Sequence, residues 1–364
     1  MKQYDYIIVG AGICGCSTAY ELQKYSKNIL LIDKLSDVAQ GASGAAGAFL
    51  SPLLGKPNNF KDLVTKSLKY STNFYKKNLP NLINNCGTIR IPKNEVDKEK
   101  FKSYKPYIDF KYEEKENGYY FEIGSVVDSF NICKALTKGV NKQFNYEVES
   151  IKYDDKVWHI NGDMVAKNLI LTTGANIDLI SEDYFKIRPV WGQRIDVKTS
   201  TCIDNNYHKE CSLSQTIKID KNTYITSIGA THHRNVYEKK IDKNDTEFLL
   251  QKANDIKELK DVKVIKEYAG ARASSVDYIP IVGELIDSKK TLQEFPYLKN
   301  GTQVQSKRFK RYKNLYVING VGGRGFVLSP YLSKQLIEYI IFQKPIENSI
   351  TSDRLFRRWV KRIR

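Results

Sequence analysis

YDYIIVGAGICGCSTAYELQK at Tyr4–Lys24, followed by ILLID at Ile29–Asp33, is the stretch that decides the fold. Tyr4–Val9 is an apolar, β-rich run. Gly10-Ala11-Gly12-Ile13-Cys14-Gly15 interrupts it, the residues from Cys16 to Lys24 read as a helix, and Ile29–Ile32 reads as a second buried strand. Strand, glycine turn, helix and strand in that order open a doubly wound sheet. Each glycine has a physical task. Gly10 permits the tight turn, Gly12 lets the backbone approach a pyrophosphate, and Gly15 lets the helix close on the strand. The helix start at Ile13 supplies N–H groups and the positive end of the dipole to a phosphate. Asp33 lies 18 residues beyond Gly15, where a carboxylate grips ribose hydroxyls, and Lys34 follows it. A glycine turn without a ligand is the plain alternative. By itself the motif serves NAD and FAD equally.

Two later segments favour FAD. Gly41-Ala42-Ser43-Gly44-Ala45-Ala46-Gly47 follows the second strand, and its small residues let backbone pass close to a flat ring or its pyrophosphate. Gly320-Val321-Gly322-Gly323-Arg324-Gly325, leading to Phe326, lies between the strand-like Asn314–Asn319 and a helix expected at 329–341. A helix start there can stabilise a reduced ring. Asn168–Leu171 is a further strand ending in a turn at Thr173 and Gly174. Nucleotide-type elements thus occupy both ends of the chain. Between them, 86–120 reads as charged and strand-like, 148–160 as a hairpin, 188–229 as an antiparallel sheet and 245–259 as a helix. The expected fold is α/β, a discontinuous Rossmann-like FAD-binding domain with a smaller antiparallel-sheet substrate domain. The FAD-binding parts are 1–82, 125–186 and 268–345, the substrate parts 83–124 and 187–267, with a basic tail at 346–364.

Composition is consistent with this. The chain has 364 residues, 41% hydrophobic and 12% aromatic, enough for two folded units. Six irregularly spaced cysteines make no disulfide scaffold and suggest a reducing, cytoplasmic setting. No apolar run reaches the roughly 18 residues of a membrane span, and the N-terminus runs straight into a strand with no signal-peptide pattern. The formal net charge is +17. Either a polyanionic partner or an AT-rich genome that inflates Lys accounts for it. Local clusters are more telling. Gln305–Lys313 carries five cations and no anion, and Arg354–Arg364 carries six cations, again with no anion, around Phe356 and Trp359. Arg357 and Arg358 in that tail are candidate nucleic-acid contacts.

Arg272 stands alone among small residues in Tyr268-Ala-Gly-Ala-Arg-Ala-Ser-Ser-Val-Asp277. Its fork matches a substrate carboxylate, and a structural pair with Asp277 is the competing role. Over essentially its whole length the chain resembles the flavin-dependent D-amino acid oxidase, glycine oxidase and sarcosine oxidase superfamily. Within it the chain is most similar to the oxidoreductase domain of bifunctional tRNA wobble-uridine modification enzymes (the MnmC family). The resembling segments are GASGAAGAFLSPLL at 41–54, RPVWGQ at 188–193, IGATH at 228–232, GARASSVDYIPIVG at 270–283, NGVGGRGFVLSPYLSKQL at 319–336 and the ending LFRRWVKRIR.

The resemblance implies oxidative removal of the carboxymethyl group from 5-carboxymethylaminomethyl(-2-thio)uridine in tRNA, giving 5-aminomethyluridine and glyoxylate. It also implies Arg272 as carboxylate anchor, O2 as electron acceptor, and a separate methyltransferase as a partner acting on the product, since no methyltransferase segment is in this chain. The FAD is expected to be non-covalent, because no cysteine follows Cys211. A free amino-acid oxidase and a catalytically silent tRNA-binding flavoprotein are the competing readings. Gln193 is a candidate on the substrate side. Of His232 and His233, neighbours on a strand, only one can face a pocket, and His232 is the candidate. Cys14 and Cys16 read as packing, Tyr331 as helix packing, and no metal site is expected.

Overall fold

The computed structural model describes residues 1–363. Lys2–Val9 pairs in parallel with Ile29–Ile32 on one side and Met164–Leu171 on the other. Asn141–Gln143 and Arg311–Asn319 extend this sheet in parallel at its two sides. Ile281–Ile286 adds antiparallel beside Arg311–Asn319, and the hairpin Ile151–Asp154/Val157–Ile160 joins the first half of Met164–Leu171. The central strands are apolar on both faces, so both must be covered. Ile8, Leu31, Ile170 and Ile318 pack under the helices Ile13–Leu22, Asn59–Asn78 and Gly325–Phe342. Ile7, Ile32 and Leu169 share the opposite core with Tyr184, Leu355 and Phe356.

A second sheet is mainly antiparallel and built around Ile187–Thr199 and Lys263–Ser275, two 13-residue strands paired over most of their length. Thr88–Arg90, Gly118–Phe121, Asn206–His208 and Thr223–Gly229 lie in the same sheet. The helix Lys243–Asn254 places Leu249 and Ala253 against Ile195, Val197 and Ile228. Mixed parallel and antiparallel sheets with flanking helices give the expected α/β class. Lys263–Ser275 runs through the expected boundary at 267/268, so Arg272 is delivered by the antiparallel sheet.

One local expectation needs correction. The segment 86–120 contains the helix Glu95–Tyr104. Asn94 caps it by accepting the Asp97 N–H at 2.9 Å, and Lys98–Glu95 and Lys102–Glu99 pair one turn apart. Those signals outweigh the charged, strand-like composition. The basic ending is folded onto the protein. Asp353–Val360 is a docked helix with Phe356 fully buried, and Arg354 pairs with Asp277 at 2.8 Å.

The last long helix starts at Gly325, one turn earlier than its sequence suggests, although Pro330 lies within it. Proline has no N–H for the Phe326 carbonyl. The fully buried Tyr75 hydroxyl donates to that carbonyl at 3.1 Å instead, and Ser71 Oγ donates to the Val327 carbonyl at 2.7 Å. The Asn59–Asn78 helix therefore pins the helix start that faces the cleft. Tyr75→Phe is expected to cost about 1–3 kcal/mol, the penalty of an orphaned buried acceptor. Denaturant unfolding reads this as a lower midpoint at unchanged slope.

Candidate active site

The glycine turn brings the chain unusually close to itself. Gly10 has φ +106°. A Cβ on Gly15 would lie 1.8 Å from the Gly10 carbonyl oxygen, so only glycine lets this helix sit on this turn. The Gly10 carbonyl is held by Thr172 Oγ1, which donates at 2.8 Å. The Ile13–Leu22 helix has no side-chain cap at Gly12. Its first N–H groups therefore point at the cleft, with Ile13 N–H donating to Ser43 Oγ at 2.9 Å. That contact ties the first glycine turn to the Gly41–Gly47 loop. Asp33 closes the other end, accepting from Ala11 N–H at 2.6 Å and Leu35 N–H at 2.9 Å. Lys34 beside it pairs with Glu147 at 3.2 Å.

These elements line a cleft of about 1200 Å3 that runs from Asp33 to the second sheet. Its size exceeds the roughly 300–1,000 Å3 of ordinary ligand pockets. The expected cofactor residues Gly10, Gly12, Ile13, Asp33, Lys34, Gly41, Ala42, Ser43, Ala46 and Gly47 face it. So do Thr173, Gly174, Gly322, Gly323, Arg324, Gly325 and Phe326. Gly15 does not; it acts behind the turn by letting the helix close. The strand carrying Arg272 crosses the Gly41–Ala42 loop so tightly that a Cβ on Gly270 would lie 2.8 Å from Ala42 Cα. The helix start, the two small-residue loops and the ribose-type carboxylate suit an extended dinucleotide such as FAD.

Arg272 projects into the cleft beside Gly323, whose Cβ would touch the Arg272 stem at 3.7 Å. Gly192 makes room for the guanidinium, since a Cβ there would lie 2.5 Å from Arg272 Nη2. Nη1 donates to the Thr231 carbonyl at 3.0 Å. Among the described residues no carboxylate pairs with Arg272; Asp277 is taken by Arg354 through Nε at 2.8 Å and Nη2 at 3.1 Å. Burial lowers the Arg272 pKa to about 10, which leaves it charged at neutral pH. His232 also lines the cleft, and burial followed by the Arg272 charge lowers its pKa to about 4. Its imidazole is neutral at pH 7. His233, which opens the short strand His233–Arg234, turns away and bonds Asp245 at 2.8 Å.

Gln193 is not on the substrate side. Strand alternation sends Val190 to the cleft and Gln193 into the core, where it is fully buried. It donates to Thr246 Oγ1 at 2.7 Å and accepts the Asp242 N–H at 2.9 Å, fixing the start of the Lys243–Asn254 helix. Arg357 and Arg358 lie outside the cleft. Arg357 is used within the fold, donating to the Val304 carbonyl at 2.8 Å and Ser306 Oγ at 2.9 Å, whereas Arg358 is exposed. Sequence reasoning missed Arg90 and His208, which both line the cleft. The available signal was a single cation closing the apolar run Gly87-Thr88-Ile89-Arg90.

Among the described residues no helix is long and apolar enough to cross a membrane, and no cluster of side chains could hold a metal. A family profile described as FAD dependent oxidoreductase (DAO) matches residues 5–339. The bifunctional protein MnmC of Legionella pneumophila strain Lens, named for tRNA 5-methylaminomethyl-2-thiouridine biosynthesis, is 24% identical over 97% of this chain and 57% of its own length. The MnmC of Campylobacter fetus is 21% identical over 99% of this chain and 61% of its own. The chain thus spans little more than half the length of these curated relatives. Glycine oxidase from Geobacillus kaustophilus superposes with a TM-score of 0.72 at 18% identity, covering 95% of this chain and 96% of that one. With its family profile running from the first strand to the last long helix, the chain belongs to the FAD-dependent oxidoreductase family (DAO).

Proposed function

We propose that this chain oxidises the carboxymethyl group of a secondary amine, R–NH–CH2–COO⁻, and that R is the 5-methylene of a wobble uridine in tRNA. The observation that carries the first part is Arg272, a charged guanidinium inside the cofactor cleft with which no acid pairs among the described residues. A carboxylate is its natural ligand, because both present two parallel hydrogen-bonding atoms. The uridine assignment is supported by the relatives named MnmC and by the +17 net charge.

Bound FAD supplies a two-electron acceptor. The residues expected to hold it are Gly10, Gly12, Ile13, Asp33, the Gly41–Gly47 loop and the helix start at Gly322–Phe326. Arg272 clamps the carboxylate and so fixes the adjacent methylene, which is the atom to be oxidised. Gly192 and the Thr231 carbonyl hold the guanidinium in one orientation. Such positioning lowers the barrier without a dedicated acid or base. Neutral His232 can hydrogen-bond the substrate without competing for the carboxylate. The methylene loses hydride, the resulting C=N bond takes up water, and the products are the primary amine and glyoxylate.

Anaerobic flavin absorbance tests the proposal. Bleaching by tRNA bearing 5-carboxymethylaminomethyluridine, and not by free glycine or sarcosine, is the expected result. Bleaching by the free amino acids alone would make this an ordinary amine oxidase. The exposed cations of the C-terminal helix and its end, Arg358, Lys361 and Arg362, are assigned to tRNA phosphates. Their joint replacement by Gln should reduce the slope of log affinity against log salt by up to about 3 units. Deleting 354–364 cannot serve as that test, because it also removes the buried Phe356 and the partner of Asp277.

A further inference from the structure

Arg90 and Arg324 form a cationic pair in the same cleft, apart from the Arg272 contact, with the imidazole of His208 beside them, which burial and then the two arginine charges keep neutral. Arg90 ends the strand Thr88–Arg90, His208 ends Asn206–His208 beside it, and Arg324 comes from the glycine loop opposite. Among the described residues neither arginine has an ion-pair partner. Arg324 Nη1 donates to the Ser51 carbonyl at 3.1 Å, while Arg90 Nε and His208 Nε2 are buried without any hydrogen-bond partner. Asp97, the acid that acts on Arg90, is spent capping the Lys93 N–H at 3.0 Å. His208 is held in place by Ser212 Oγ on Nδ1 and by the edge of Phe49 at 4.9 Å, so its other nitrogen is fixed toward the group. Burial, and then the mutual repulsion of Arg90 and Arg324, lowers the Arg324 pKa to about 9.

Two guanidiniums placed together in a protein interior destabilise it unless an anion joins them. Side-chain nitrogens from three separate segments converge here, and among the described residues Arg90 Nε and His208 Nε2 find no partner. We propose that Arg90, Arg324 and His208 form a second oxyanion subsite, which takes a carboxylate or phosphate of the substrate other than the one held by Arg272. Two of its three residues come from the antiparallel sheet, the same sheet that delivers Arg272, which places it on the substrate side. The inference rests on reading this cleft as the substrate site and selects doubly anionic substrates. For a modified uridine the second anion is a backbone phosphate; for a small amine it is a second carboxylate.

Calorimetric titration of FAD-loaded protein with inorganic phosphate tests this, because the cofactor already fills the phosphate-binding turn. Saturable binding is expected, weakened at least tenfold in Arg90→Met and less than threefold in Arg272→Met. If Arg90→Met yields no soluble holoprotein, Arg90→Lys keeps the charge without the fork and should weaken binding about three- to tenfold. No binding, unchanged binding in the Arg90 variant, or equal loss in both variants would overturn the subsite. Uridine 5′-monophosphate and iminodiacetate are then added as competitors. Displacement by the first assigns the subsite to a nucleotide phosphate, by the second to a dicarboxylate, and displacement by neither overturns it. This readout does not use turnover. Phosphate binding lost only at Arg90, in protein that modified tRNA fails to bleach, would leave the subsite standing and refute the tRNA reading.

Discussion

Arg272→Met is expected to lower kcat/KM by roughly 30- to 4,000-fold while leaving the FAD content unchanged. The range follows from about 2–5 kcal/mol for truncating one partner of a buried, hydrogen-bonded charge pair, at about 1.4 kcal/mol for each factor of ten. Methionine keeps the stem that lies against Gly323, so the cofactor side of the cleft is preserved. It removes the fork. The substrate carboxylate then enters the cleft without its partner, and the methylene beside it loses its fixed position. Both binding and turnover should suffer, so kcat falls as well as KM rising. Arg272→Lys restores charge without two-point geometry and should recover part of the loss. Normal turnover by Arg272→Met, measured against flavin content, would refute the anchor role.

How much of this was legible in the sequence depended on the range of the signal. The nucleotide-binding half could be read from the glycines, because their requirement is local. Gly10 needs a positive φ, and Gly15 meets an atom only five residues away. Arg272 could be singled out because it stands alone among small residues, with Asp277 the one competing partner nearby in sequence. Gln193 misled for a related reason. Its segment RPVWGQ does face the cleft, but through Val190, and strand alternation carries Gln193 inward. The helix at Glu95–Tyr104 was announced by a cap and by paired charges, yet its high charge made it read as strand. Arg90 and His208 were illegible for another reason. They are 118 positions apart and meet only because Thr88–Arg90 and Asn206–His208 run side by side. The same holds for Arg354, whose role as the partner of Asp277 removed the competing assignment for Arg272. The basic ending was legible as charge, but the core on which Phe356 packs was not, because its members are distant in the chain.

Gly15→Ala should abolish cofactor binding, weakening FAD affinity at least about a hundredfold and destabilising the apoprotein as well. The added methyl would stand 1.8 Å from the Gly10 carbonyl oxygen. That oxygen cannot retreat easily, since Thr172 Oγ1 donates to it and Gly10 N–H is bonded to the Ile32 carbonyl at 2.7 Å. The helix must therefore lift from the strand, which carries its first N–H groups away from the phosphate position. Overpacking of this kind costs about 1–3 kcal/mol or more in stability. Gly12→Ala makes the informative contrast. Its Cβ meets only Ser43 Oγ, at 3.1 Å, and a hydroxyl on a short side chain can turn aside. The apoprotein should keep its stability, while FAD binding is lost because the methyl projects where a pyrophosphate must approach the backbone. Thermal unfolding of the two apoproteins, together with flavin fluorescence quenching on titration with FAD, separates the two roles. If both variants lose FAD and only Gly15→Ala loses stability, one glycine serves the packing of the turn and the other serves the ligand. Full FAD binding by Gly12→Ala would mean that the pyrophosphate does not lie over this turn.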